Sequence, residues 1–209
     1  MPKEIINNKE NDQLKEIVNI GAGNASTALS TMLGKKIQMN VPEATVGPIE
    51  KVQQFLGSKD DTVLAVFLKM YGDANGAMVM IFSPKSALAF AKLLTKKDKA
   101  DIDEFDEEDL SAMREIGNIL LGASITALSK FLDMNILHTI PDAVVDMLGA
   151  IMDSVIVEIG QEEEKALSFK VTLSIEEEGV DGDLYFLFDS NSTARILSAA
   201  RAKLGNNNG

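Results

Sequence analysis

The stretch REIGNILLGASITALS, residues 114–129, is written a second time, with variation, as KEIVNIGAGNASTALS at residues 15–30. Placing residue 16 over residue 115, an offset of 99, aligns Glu16 with Glu115, Asn19 with Asn118, Gly23 with Gly122, and TALS at 27–30 with TALS at 126–129. The same offset lays VPEATV (41–46) on IPDAVV (140–145). Further along the offset grows to 106, where GAMVMIFSPKSALAFAKLL (76–94) overlies GDLYFLFDSNSTARILSAA (182–200). Self-similarity of this kind means a module of roughly 100 residues used twice, not a solenoid. The copies run over about 10–97 and about 107–203, joined by the acidic linker KKDKADIDEFDEEDL (96–110).

Each copy reads the same way. Apolar residues at helical spacing predict a helix over roughly 12–33 and again over 108–131. A short strand follows, KKIQMNVP (35–42) or MNILHTIP (134–141), each closed by a proline. TVLAVFLKMYG (62–72) and NGAMVMIF (75–82) flank an Asn-Gly turn signal and predict a hairpin. The second copy offers ALSFKVTLSI (166–175) and DLYFLF (183–188), with an Asp-Gly signal between them. A closing helix is expected near 84–95 and near 190–203. The copies differ most at DAVVDMLGAIMDSVIVEI (142–159), where Val144, Met147, Leu148 and Ile151 have helical spacing and predict an extra helix. About three strands per copy are too few to stand alone. The expectation is therefore a single α+β domain, internally duplicated about a pseudo-two-fold axis, with one sheet of about six mostly antiparallel strands and two long site-bearing helices.

Composition narrows the function. Hydrophobic residues make up 45% and charged residues 25% of the 209, the balance of a folded soluble protein. The formal charge of −12, with no Lys/Arg-rich stretch, argues against nucleic acid and anionic membranes as partners. Cys is absent and there is one His, so a thiolate nucleophile, a disulfide framework and a His-rich metal site are excluded. The polar start MPKEIINNKENDQ is unlike a signal peptide, no apolar run is long enough to cross a bilayer, and GNNNG (205–209) reads as a frayed tail. A cytoplasmic protein is expected.

At about 100° per residue, Asp12, Glu16, Asn19, Gly23 and Ser30 share a narrow arc of the first helix. Leu14, Ile17, Gly21, Ala25, Ala28 and Met32 occupy the opposite arc. The second helix repeats this, with Ser111, Glu115, Asn118, Gly122 and Ser129 opposed to Met113, Ile116, Leu120, Ala127 and Phe131. A solvent-facing stripe needs polar residues, and Glu is a good helix former. Asn is not, since its side chain competes for backbone hydrogen bonds. Mid-helix Gly costs about 1 kcal/mol relative to Ala and lets a partner come close. A carboxylate holds an ammonium, and a carboxamide both donates and accepts, so it can fix the orientation of a water. The pair suits an accessory to hydrolysis that positions the water, as a glutamine does in some nucleotide triphosphatases, while another protein brings the electrophile and the metal.

The pattern Asp/Ser-x-x-x-Glu-x-x-Asn, present as Asp12, Glu16, Asn19 and as Ser111, Glu115, Asn118, with NIGAGNASTALS (19–30) after the first, closely resembles the CheC phosphatases of prokaryotic chemotaxis over nearly the whole chain. CheX proteins share the chemistry but are shorter, and FliY proteins carry an extra switch domain. The resemblance implies dephosphorylation of the response regulator CheY, with Asn19 and Asn118 aligning a water on the aspartyl phosphate, Glu16 and Glu115 pairing with the receiver's lysine, and Mg²⁺ brought by the receiver. Asp12, Gly23, Ser111 and Gly122 fall in the same contact surface. VVDMLGAIMD (144–153) resembles the segment through which CheC proteins engage the receptor deamidase CheD, with Asp146 as the matching contact; the alternative is an amphipathic core helix.

Other readings are weaker. GAG at 21–23 follows no strand and completes no G-x-G-x-x-G. A glycosidase pair would need Glu16 and Glu115 to converge within about 5–10 Å. His138 reads as a packed or rim residue, the ten Met as core filler, and QEEEKA (161–166) as a solvated loop. The rival class is a non-catalytic adaptor for CheY, CheD or flagellar switch proteins, which has little use for Glu and Asn in both stripes.

Overall fold

The computed structural model describes residues 8–47, 58–159 and 166–206. In chain order its elements are α1 (Asn8–Leu33), β1 (Gln38–Gly47), β2 (Thr62–Gly72), β3 (Gly76–Phe82), α2 (Pro84–Thr95), α3 (Glu107–Leu132), β4 (Ile136–His138), β5 (Asp142–Met147), α4 (Leu148–Ile159), β6 (Ala166–Ile175), β7 (Val180–Phe188) and α5 (Ser190–Asn206). The strands form one antiparallel sheet in the order β1-β6-β7-β3-β2-β4, with β5 beside β4 along the same edge of β2.

The register carries the duplication. At the centre β3 pairs with β7, so that Gly76 opposes Phe188 and Phe82 opposes Gly182. Residues 76 and 182, and 82 and 188, are counterparts under the 106-residue offset, so this pairing maps onto itself about Val79 and Tyr185, which face each other. At the edges the copies exchange strands: β1 pairs with the second copy's β6, while β4 and β5 pair with the first copy's β2. Neither hairpin is left with an open outer edge, which is why the three strands of the first copy and the four of the second fuse into one sheet.

Alternating side chains of the strands serve two cores. Leu64, Val66, Met78, Met80, Phe82, Phe169, Phe186 and Phe188 point to the side covered by α1, α2, α3 and α5. Phe90 meets Phe82 edge-on at 5.4 Å, and Phe169 sits edge-on to Phe186 and Phe188 at 6.4 and 6.5 Å. Val63, Ala65, Val79, Ile81 and Leu187 point the other way and are covered by Leu148, Ile151, Met152 and Val155 of α4. With both faces covered, GAMVMIF of β3 is buried throughout and shows no polar alternation.

Several expectations are corrected. Helix starts at Leu148 rather than 142, because residues 142–147 form β5: β2 needs an edge partner from Thr62 to Phe67, and the β-branched pair Val144-Val145 supplies it. VPEATV, aligned with this segment, is strand in β1 as well. Pro42 does not close β1, which runs on to Gly47 after a register shift between Asn40 and Glu43; only β4 ends before its proline. The second copy's edge is thereby split in two, giving seven strands in place of about six. The second hairpin turns at Glu176–Glu178 and Gly179, whose φ of 64° is left-handed, and Asp181-Gly182 lies inside β7. In the first hairpin the β2–β3 ladder ends at Met70 opposite Gly76, Gly72 at φ 107° still pairs with β4, and the connection is residues 73–75, so that Gly76 is already in β3. α5 continues to Asn206, so Gly205 and Asn206 of the expected tail are helical; residues 207–209 and 161–165 lie outside the described residues.

The acidic linker is built into the fold. Ile102 is buried, and Asp106 caps α3 in a reciprocal capping box with Asp109. Lys99 bridges both carboxylates, and Lys97 adds Asp106 and Glu108. The Asp106 carboxyl is held well below the ordinary aspartate value of 3.8, chiefly by the hydrogen bond from Lys99 and then by the Asp109 backbone N–H.

Candidate active site

The two long helices pack against each other through small residues. A Cβ on Gly21 would lie 3.0 Å from the Ser124 Cα and 3.1 Å from the Ala127 Cβ, so any larger side chain there would press α1 and α3 apart by a few tenths of an ångström where they cross. Gly21 is roughly 180° around its helix from the middle of the Asp12–Glu16–Asn19–Gly23 stripe, and Ser124 and Ala127 are similarly remote from the stripe on α3. The helices therefore meet back to back, and their polar ridges face away from one another. That separation removes the carboxylate pair a glycosidase needs.

Asp12, Glu16, Asn19 and Gly23 are exposed, and so are Ser111, Glu115 and Asn118; Gly122 is half-buried. The buried arc of α1 is Leu14, Val18, Gly21, Ala22, Ala25 and Leu29. Ala28 and Met32, expected inside, are exposed: the sheet and α3 cover a narrower arc near the helix end, centred nearer Val18 and Leu29. The side chain of Ile17 lies outside the described residues. On α3, Met113, Ile116 and Leu120 are buried as expected, and Ala127 and Phe131 are half-buried.

Neither Glu16 nor Glu115 makes an ion pair or a side-chain hydrogen bond among the described residues. Around Gly23 a Cβ would meet nothing within 4 Å, and around Gly122 only the His138 Nε2, at 3.9 Å. Thr27 and Thr126, also counterparts, donate their hydroxyls to the carbonyls of Gly23 and Gly122 at 2.9 and 2.7 Å. These bonds satisfy the threonine hydroxyls one turn beyond the glycines, leaving the ridge above each glycine low and open.

The two asparagines differ. The Asn19 Oδ1 accepts the backbone N–H of Val41 at 3.0 Å. Since an N–H only donates, the atom facing it is the oxygen, which fixes the amide's orientation and turns its NH₂ elsewhere. Val41 is free to do this because it falls in the register shift of β1. Its counterpart Ile140 lies in the break between β4 and β5 and is 89% exposed, and the Asn118 carboxamide has no hydrogen-bond partner among the described residues. The Ser111 Oγ is engaged by Arg114, whose Nη2 donates to it at 2.8 Å while pairing with Glu107; the same guanidinium reaches Asp142 at 3.8 Å. Asp12 has no such neighbour among the described residues.

Asp146 lies on neither ridge. It is exposed on β5, opposite Val63, with its Oδ1 accepting the Met147 N–H at 2.7 Å. It borders a groove of about 830 Å³ between α4 and the sheet edge, with Ile140, Val144 and Val157 among the apolar walls. Sequence reasoning passed over Val41 and Arg114, and placed His138 no more closely than core or rim. A signal for His138 does exist: under the 99-residue offset it stands where the first copy has Met39.

Comparison with known proteins bears on the whole chain. The CheC-like family model matches residues 10–46, and the model described as chemotaxis phosphatase CheX matches residues 64–159. The CheY-P phosphatase CheC of Bacillus subtilis (strain 168) is 30% identical over 203 residues, covering 95% of this chain and 97% of that protein. The chain belongs to the CheC family. Its fold is also that of solved relatives: Thermotoga maritima FliY matches with a TM-score of 0.74 at 22% identity over 95% of this chain and 99% of that one. CheX from Borrelia burgdorferi, crystallised as a CheX-CheY-BeF3-Mg²⁺ complex, matches with a TM-score of 0.55 at 19% identity over 84% of this chain and 97% of that one. Among the described residues no helix is long and apolar enough to cross a membrane.

Proposed function

We propose that this CheC-family chain accelerates hydrolysis of the aspartyl phosphate on phosphorylated CheY, and that it does so at two sites. In this reading Asn19 and Asn118 each enter the receiver's phosphorylation pocket and orient a water in line with phosphorus. Glu16 and Glu115 pair with the receiver's lysine, the receiver carries the Mg²⁺, and Asp12, Gly23, Ser111 and Gly122 complete the contact surface. The chemistry asked of the chain is positioning: an amide that holds a water by one lone pair or one N–H, beside a carboxylate that docks an ammonium.

The observation that carries the reading is the duplicated, unobstructed ridge. Two Glu–Asn pairs project from rigid helices, on faces turned away from the helix contact, with carboxylates unspent on any ion pair among the described residues and a glycine one turn further on that leaves room for a docking surface. A scaffold would gain nothing from keeping two exposed Asn residues mid-helix, where they cost stability. The test is the decay of phosphorylated CheY in the presence of Mg²⁺. The wild-type chain shortens its lifetime and the Asn19→Ala/Asn118→Ala double variant does not; binding without faster decay by the wild type would instead make the chain an adaptor. On the other face, the exposed Asp146 beside the groove along α4 is offered as the contact for CheD, and Asp146→Lys would weaken that association without altering CheY-P decay measured in the absence of CheD.

A further inference from the structure

Resting on the proposed reaction at Asn118, we infer that His138 is a receiver-binding residue of the second site only, and that it makes the two sites unequal in how they hold their partner. The edge ladders locate it. His138 opposes Met70 on β2, and Met39 opposes Leu173 on β6, so the two residues occupy the same rung of the two exchanged edges. Met39 is partly buried and packs on the main core. His138 instead lines an open cavity of about 760 Å³ beside α3, with Tyr71, Asp73, Lys130 and Asp133 as the other titratable groups around it.

Its ring orientation is set locally. The Nδ1 lies 2.9 Å from the Thr139 carbonyl, which can only accept, so Nδ1 carries the hydrogen. In the neutral ring Nε2 is then an acceptor with no hydrogen-bond partner among the described residues, and it is the atom that faces Gly122, 3.9 Å from where a Cβ would stand. Gly122 is one helical turn beyond Asn118, on the same face. A domain that seats Asn118 in its pocket and settles over the glycine is met at that spot by the imidazole Nε2. At the first site the same approach over Gly23 meets open space. The partner group suited to Nε2 is a hydrogen-bond donor on the receiver surface outside its phosphorylation pocket, since the histidine is a turn away from the amide.

The experiment uses single-site enzymes with phosphorylated CheY as substrate. Asn19→Ala leaves the second site and Asn118→Ala leaves the first. His138→Met, which installs the residue the fold already carries on the equivalent rung, is added to each. With only the second site working, KM for the phosphorylated receiver should rise about 3- to 10-fold, the loss of one hydrogen bond, with kcat retained. His138→Gln, which restores an acceptor, should recover part of the loss. An unchanged KM in the Asn19→Ala background, a matching KM change in the Asn118→Ala background, or a fall in kcat with KM unmoved would each overturn the assignment. Should the wild-type chain leave CheY-P decay unchanged, the reaction itself is wrong; activity that ignores His138 defeats only the role given to the histidine.

Discussion

Asn19 and Asn118 hold equivalent places on equivalent helices, yet the sheet grips one and leaves the other alone. In the first copy the edge strand runs past its proline as a single bulged strand, and the N–H released by the bulge is given to Asn19. In the second copy the edge breaks between His138 and Asp142, the counterpart residue Ile140 lies in solvent, and the exposed Asn118 carboxamide has no hydrogen-bond partner among the described residues. A duplicated module therefore reproduces its helices and its exposed residue types more faithfully than the second layer of contacts behind them. If the ridges act as proposed, the difference lies between one site organised before its partner arrives and one organised by the partner, with ordering a free side chain costing about 0.5–1.5 kcal/mol on docking.

The harshest trial of this comparison is removal of both amides. Asn19→Ala with Asn118→Ala should lower the acceleration of CheY-P decay by about 10²- to 10³-fold, the scale of losing a positioned amide, whereas each single variant retains activity through the other ridge. Single variants as inactive as the double one would mean that the ridges act as one site, and the back-to-back arrangement would then be misread.

The next largest effect is on stability and concerns α3 alone. The Asp109 side chain is 1% exposed, Lys99 is 13% exposed, and together with Asp106 they tie the start of the second site's helix to the linker. Asp109→Ala leaves Lys99 with Asp106 as its remaining carboxylate and with the Glu104 carbonyl, and should cost about 1–3 kcal/mol, the scale of losing a hydrogen bond to a charged group, read as a fall in the urea midpoint. The same cluster sets an acid limit. Asp106 has a folded pKa depressed below 3.8, so its contribution is present in full well above that value and is lost progressively as the pH falls below about 4. Asp106→Asn, which still caps the helix, should flatten the stability profile in that window.

Most of the fold is legible in the amino-acid sequence. The offsets of 99 and 106 place both long helices, both hairpins and the fusion of two copies into one sheet. The ridges are equally legible, because an exposed residue is defined by its own helix. What stays hidden depends on neighbours distant in sequence. Residues 142–147 have helical spacing when taken together with residues 148–159, and only the demand of β2 for an edge partner makes them strand. The hydrogen bond from Val41 to Asn19 requires a bulge 22 residues away. In neither case does local periodicity carry the information, although the alignment of VPEATV with IPDAVV already ties the two edge segments together.

A smaller effect isolates the grip on Asn19. Val41→Pro deletes the N–H at a point of the strand already out of ladder register, where proline is tolerated. In the Asn118→Ala background it should reduce activity about 2- to 10-fold, the worth of one hydrogen bond. In the Asn19→Ala background it should do nothing, provided circular dichroism and a thermal melt show the fold intact. Equal losses in both would place the effect in the core, where Val41 is 7% exposed, and not in the amide.

The mildest change compares the two glycines. Neither has a left-handed φ, and an added methyl at Gly23 meets nothing, so Gly23→Ala should stabilise the chain by about 0.5–1 kcal/mol through helix propensity alone. Gly122→Ala gains the same propensity but brings its methyl into ordinary contact with His138. If a docking surface settles over these glycines, each substitution trades activity at its own site for stability: KM should rise in the single-site enzyme that uses the altered ridge and stay unchanged in the other. A chain made more stable by Gly23→Ala with no rise in KM at the first site would mean that the partner docks on the Asp12 side of Asn19, and the footprint on the second ridge would shift with it.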